Sequence, residues 1–120
     1  MTGDPAGPLR DRMAAALTSS MKARDKVAVA ALRSALARVA NAEAVHIDTV
    51  PRAGAVHDAA VGAGAADAPR RDLTEADVRE VVEAEVVEHD RAAQHLTEVG
   101  RPDEAALVTA QADVLRGFLA

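Results

Sequence analysis

Large apolar residues first fall into register just after Pro8. Leu9, Met13, Leu17 and Met21 recur at steps of four, the spacing that places side chains on one face of a helix. Pro8 suits a first helical turn, because a residue there needs no backbone N–H. Lys22, Arg24 and Lys26 crowd the other end of the stripe, where cations interact well with the helix dipole. Asp25 fits the N-cap of a second helix, since a short carboxylate can accept from the exposed N–H groups of a first turn. Val29, Leu32, Leu36 and Val39 then step by three and four, forming a second seam. Between Arg24 and Lys26 no Gly or Pro forces a break. One bent rod and two separate helices both fit this stretch.

Periodicity lapses between positions 46 and 72, where Pro51, Gly54, Gly62, Gly64 and Pro69 are scattered among Ala, Val and Asp. Such a stretch lacks the large apolar residues needed to fold alone, so a flexible Ala/Gly/Pro linker is expected. A partner-recruiting loop at Ile47–Val50 is the alternative for a gap of this length. Order returns at Leu73, which is placed to staple against Val78. Thr74-Glu75-Ala76-Asp77 has the form of a capping box with an aspartate at the third helical position. Val78, Val82, Val86, His89, Ala93 and Leu96 carry a stripe down to Gly100, which suits the left-handed residue that ends a helix. Pro102, followed by Asp103 and Glu104, starts a last helix with Ala105, Val108, Ala112, Leu115 and Leu119 on one face. The short Gly100-Arg101-Pro102 connection makes these last two helices an antiparallel hairpin.

The expected fold is therefore all-α: a small four-helix protein made of two helical hairpins. Residues 1–8 form a disordered N-terminus, 9–45 helices one and two, 46–72 the linker, and 73–120 the second hairpin. A chain of 120 residues is one domain's worth. Composition changes what its core should look like. Apolar residues make up 49% of the chain, yet Phe118 is the one aromatic residue and alanine supplies much of the total. Alanine favours helix because it loses no side-chain entropy, while each of its contacts buries little area. Close-packed helices of modest stability follow.

With no cysteine, disulfides and thiolate chemistry are excluded. The polar first residues lack the apolar core of a signal peptide, and no segment approaches the ~20 apolar residues needed to span a bilayer. A soluble, cytoplasmic protein is the expectation. Charge separates the two halves. Residues 1–45 carry seven Lys/Arg against four Asp/Glu, and residues 73–120 four Arg against eleven Asp/Glu. Such halves attract one another within a molecule or between molecules, although solvated helix faces of unlike sign are the simpler reading.

The chemistry-bearing residues are few. The serines are Ser19, Ser20 and Ser34, none in a nucleophile elbow or an amidase-like Ser–Ser–Lys arrangement. Gly62-Ala63-Gly64 lies in the linker with no strand before it, so it is no phosphate cradle. No catalytic residue, cofactor or metal site is assigned. Glu85 with His89, and His95 with Glu98, have helical spacings that can ligate a metal, but a plain helical side-chain pair explains each as well. Nucleic-acid binding finds some support in Lys22, Lys26 and Arg33, with Arg10 and Arg12 upstream, since phosphate contacts need cations on one face. Aromatic residues for base stacking are missing, which disfavours single-strand readout.

One ordered set of short motifs resembles the GatB/YqeY family, small helical proteins related to the tail of the GatB subunit of tRNA-dependent amidotransferases. It comprises Met21-Lys22-Ala23-Arg24-Asp25-Lys26, the Leu32-Arg33-Ser34-Ala35-Leu36 seam, Leu73-Thr74-Glu75, Gly100-Arg101-Pro102-Asp103, and Val114-Leu115 ahead of Phe118-Leu119. Outside the linker, these pieces cover most of residues 9–119 in the family's order. The chain departs from the family in three places. Family members usually continue through a Tyr-Leu-Pro-like sequence into a second small helical domain; here Phe118-Leu119-Ala120 stands at that point, so the chain corresponds to the N-terminal half. Val87-Glu88-His89-Asp90 occupies the place of a basic cluster, and the linker is longer than usual.

The resemblance implies an accessory or adaptor domain that contacts an amidotransferase or another protein through a helix face, with tRNA nearby. Family members inherit the label of a carbon–nitrogen ligase with glutamine as amido donor, an activity of the catalytic body of the larger assembly. Two other readings stand beside it. One is a tRNA-binding module using Lys22, Lys26 and Arg33; the other is a structural helical module that forms homo-oligomers through its heptad-like seams.

Overall fold

A computed structural model describes residues 8–48 and 73–120. Four helices follow in chain order: α1 (Leu9–Ala23), α2 (Lys26–Asp48), α3 (Glu75–Glu98) and α4 (Pro102–Leu119). There is no strand among the described residues, so the protein is all-α as its periodicity predicts. The helix expected to end at position 45 instead runs to Asp48, because nothing in Val45-His46-Ile47-Asp48 breaks a helix. Ile47 of the proposed recruiting loop thus belongs to α2. The rest of the linker, 49–72, and the first seven residues lie outside the described residues.

The open question at Arg24 is resolved by the backbone. Arg24 adopts a left-handed conformation with φ of 59°. Its N–H donates to the Met21 carbonyl at 3.2 Å, and the Asp25 N–H donates to the Ser20 carbonyl at 2.9 Å. This pair of bonds ends α1 in a Schellman motif without the glycine that usually supplies the left-handed residue. Asp25 Oδ1 then accepts the Ala28 N–H at 3.1 Å, capping α2 as its position suggested. α1 and α2 are therefore separate helices. Pro8 stands one position before α1 rather than inside its first turn, in extended conformation and with no side-chain cap to offer.

The second hairpin is built as its sequence indicates. Thr74 Oγ1 accepts the Asp77 N–H at 3.0 Å, and Asp77 Oδ2 accepts the Thr74 N–H at 3.0 Å, closing the capping box. At the other end of α3, Gly100 has a φ of 82°. The Arg101 N–H bonds the Leu96 carbonyl at 2.8 Å and the Gly100 N–H bonds Thr97 at 3.1 Å, a second Schellman motif. Pro102 opens α4, with Asp103 and Glu104 in its first turn.

Packing places α2 at the centre, against α1, α3 and α4. That position explains a core wider than the α2 seam predicts. Leu32 and Val39 are buried as expected, but so are Ala28, Ala31 and Ala35, which add further buried positions to the helix. Methyl-sized side chains let neighbouring helices approach closely there, at the cost of little apolar area per contact. The seam residues Leu32, Val39, Val78, Val82 and Val86 all lie within the chain's own core. In α1 the stripe is buried at Leu9 and Met13 only; Leu17 is half-buried and Met21 is 48% exposed.

The relative directions of the helices follow from two long-range contacts. Arg10 of α1 pairs with Glu43 of α2 at 2.8 Å, and the Leu9 N–H donates to Glu75 Oε2 at 2.9 Å. The start of α1, the later part of α2 and the start of α3 thus share one end of the molecule. From that end α1 leads away to its elbow with α2, and α3 leads away to its turn into α4. Among the described residues, no helix is long and apolar enough to cross a membrane.

Candidate interaction surfaces

The elbow between α1 and α2 collects the three basic residues singled out from sequence. Lys22 lies in the last turn of α1, Lys26 is the first residue of α2, and both are exposed. Arg33 comes back to the elbow from two turns along α2, its guanidinium 4.0 Å from the Met21 sulfur. Arg24, exposed in its left-handed cap position, joins them. None of these four cations forms an ion pair among the described residues. The arginines elsewhere are mostly engaged: Arg10 with Glu43, Arg38 with Glu85 and Glu88, Arg101 with Glu104, and Arg116 with Asp90 and Asp113. The elbow is consequently a patch of uncompensated positive charge beside an exposed Met21. Arg12 has a partner of its own and does not belong to it.

A second site lies between α2 and α3 around Glu85, which the sequence offered only as a helical partner of His89. Glu85 is buried, with 4% of its surface exposed. The Ser34 hydroxyl donates to its Oε2, and Arg38 approaches its Oε1 at 3.3 Å. The same Arg38 makes a two-pronged bond to Glu88, at 2.8 and 2.7 Å. That bond holds the Glu88 carboxyl below the usual carboxylate range and raises the guanidinium further. A buried carboxylate is tolerable only when its oxygens are satisfied, and Ser34 and Arg38 satisfy it here. The sequence carried one signal of this burial: Glu85 stands three residues after Val82, on the apolar side of α3.

Of the two helical Glu–His pairs, Glu85 and His89 do meet. His89 Nδ1 lies 3.6 Å from Glu85 Oε2 and donates to the Glu85 backbone carbonyl at 2.9 Å. With Nδ1 engaged by the backbone, the imidazole is held as a local side-chain contact. His95 and Glu98 are both exposed near the end of α3. No group of three or more potential ligands assembles among the described residues.

Ser34, Ala37, Arg38, Asn41, Glu80 and Glu85 line an open groove of about 690 Å³ between α2 and α3. It is wide and shallow, floored by small side chains, and it brings no nucleophile to an unengaged base: the Ser34 hydroxyl bonds a carboxylate already paired with Arg38. Chemically, the two sites are a cationic ridge and an open groove lined by small and polar side chains. No family model, no curated protein and no solved structure matches this chain.

Proposed function

We propose that this chain is a YqeY-like accessory domain, related to the tail of the GatB subunit of tRNA-dependent amidotransferases, that acts by helix-face contacts and performs no chemistry by itself. The observation that carries this reading is the position of the Met21–Lys26 segment. The first of the motifs that resemble the family, Met21 through Lys26, forms the exposed elbow of the fold and contributes nothing to its buried core. A segment so exposed, with four cations around it free of ion pairs among the described residues, is suited to meeting an anionic partner. The carbon–nitrogen ligase label would then describe the assembly that the domain serves.

The same cations favour a second reading, a tRNA-binding module in which Lys22, Lys26 and Arg33 contact phosphates. An electrophoretic shift with total tRNA separates the two. In the second reading, each single change to Ala makes the salt dependence of binding shallower by about one unit, and changing all three residues abolishes the shift. Affinity capture of the amidotransferase with the unmodified chain tests the first. A chain that captures neither enzyme nor tRNA at low salt would remove both readings.

A further inference from the structure

The two hairpin tips carry opposite charge, and both lie at the ends of α1 and α3 remote from the Leu9–Glu75 contact. The α1–α2 elbow gathers Lys22, Arg24, Lys26 and Arg33 against one carboxylate, Asp25, whose Oδ1 is held by the α2 cap. Around the α3–α4 turn the balance is reversed. Glu98, Asp103 and Glu104 surround a single Arg101, which pairs with Glu104 at 3.4 Å. Glu98 and Asp103 form no ion pair among the described residues. Of the four large apolar residues exposed among the described residues, Val87 lies in mid-α3; the other three are Met21 at the elbow, 48% exposed, and Val99 and Leu107 near the turn, 54% and 49% exposed. Each tip therefore pairs uncompensated charge of one sign with apolar surface open to water, and the signs are opposite.

We propose that the elbow is a self-association surface whose occupant is the α3–α4 turn of a second copy of this chain. Because both tips are remote from the Leu9–Glu75 contact, a two-fold axis beside them sets each elbow on the other chain's turn, and the contact closes as a dimer rather than an open filament. Val99 and Leu107 then cover Met21, while Glu98 and Asp103 approach Lys22 and Lys26. The seam residues Leu32, Val39, Val78, Val82 and Val86 are engaged in the chain's own core, whereas the residues of the elbow and the turn are open to solvent. This inference is independent of the accessory-domain reading, although a polyanion would compete for the same elbow. Charges at the rim of an interface steer partners and are screened by salt, so the association weakens as ionic strength rises.

Sedimentation velocity on the full chain, over a concentration series at low and high salt, tests the proposal. The expected result is a monomer–dimer equilibrium that shifts to monomer in high salt. Lys22→Glu with Lys26→Glu, and separately Glu98→Lys with Asp103→Lys, should each weaken self-association by about tenfold or more. Mixing the two reversed chains should restore a dimer, because each elbow then again meets a turn of opposite sign; the restored dimer also shows that both variants are folded. A chain that stays monomeric at high concentration in low salt overturns the proposal, as do reversed variants that dimerise like the parent. A monomer that still shifts tRNA through the elbow overturns it too, while leaving the accessory reading intact. A dimer that binds neither tRNA nor amidotransferase supports it and sinks that reading instead.

Discussion

The carboxylate of Glu75 accepts the backbone N–H of Leu9 at 2.9 Å, so the first residue of α3 caps the first residue of α1 across the fold. Pro8 supplies no side-chain cap, and an N-terminal N–H left without a partner weakens its helix. The bond therefore joins local helix stability to the docking of the two hairpins.

Glu75→Ala should lower stability by about 1 kcal/mol, the usual cost of losing an N-terminal cap, whereas Glu75→Gln, which keeps an acceptor oxygen, should cost less. Urea denaturation read by circular dichroism measures both. Equal losses in the two variants would show that the contact is not a cap.

Burial makes the Ser34–Glu85 contact more sensitive than the surface ion pairs. Ser34→Ala removes a donor from a carboxylate that is only 4% exposed. About 1–3 kcal/mol should be lost, the penalty for a buried polar group short of a partner. Glu85→Gln tests the same site differently, since it keeps the Ser34 bond and weakens the one to Arg38. A double-mutant cycle between positions 34 and 85 should give a clear coupling energy, and additive effects would rule the bond out as a stabilising contact.

Arg24 holds a left-handed backbone that costs an L-residue roughly 1 kcal/mol. Arg24→Gly should therefore raise the unfolding midpoint, as the relief of backbone strain exceeds the entropy lost by a freer unfolded chain. Arg24→Val should lower it, because a β-branched residue tolerates this conformation poorly. A Gly variant less stable than the parent would argue that the arginine side chain itself holds the elbow.

Stability should fall on acidification, partly through two exposed carboxylates. A bond from Arg116 lowers the Asp90 carboxyl below its ordinary value of 3.8, and a bond from Arg38 lowers Glu88 below 4.5. Carboxyls depressed in the folded state stabilise it above those ordinary values, and the gain disappears as pH drops through the lower folded values. Both pairs are exposed, so the effect is small and shrinks with salt. Asp90→Asn should flatten the acid limb of a stability profile measured below pH 4.5 at low salt. A profile unchanged by that substitution would mean that Asp90 gains nothing from Arg116 in solution.

Sequence alone determined the helices and most of their ends, because those depend on neighbours a few residues apart. The capping box at Thr74, the left-handed Gly100 and Pro102 at the head of α4 all act within one turn of chain. The cationic Lys22–Lys26 segment was legible for the same reason. Only the tertiary structure decided what required distant partners. It buried Glu85 against Ser34 and Arg38 from another helix, and drew Ala28, Ala31 and Ala35 into the core. Alanine carries almost no hydrophobic signal of its own, so which alanines were core depended on the helices packed against α2. It also left the elbow's cations without ion pairs among the described residues while engaging most arginines elsewhere, which depends on where the carboxylates of α3 and α4 come to rest.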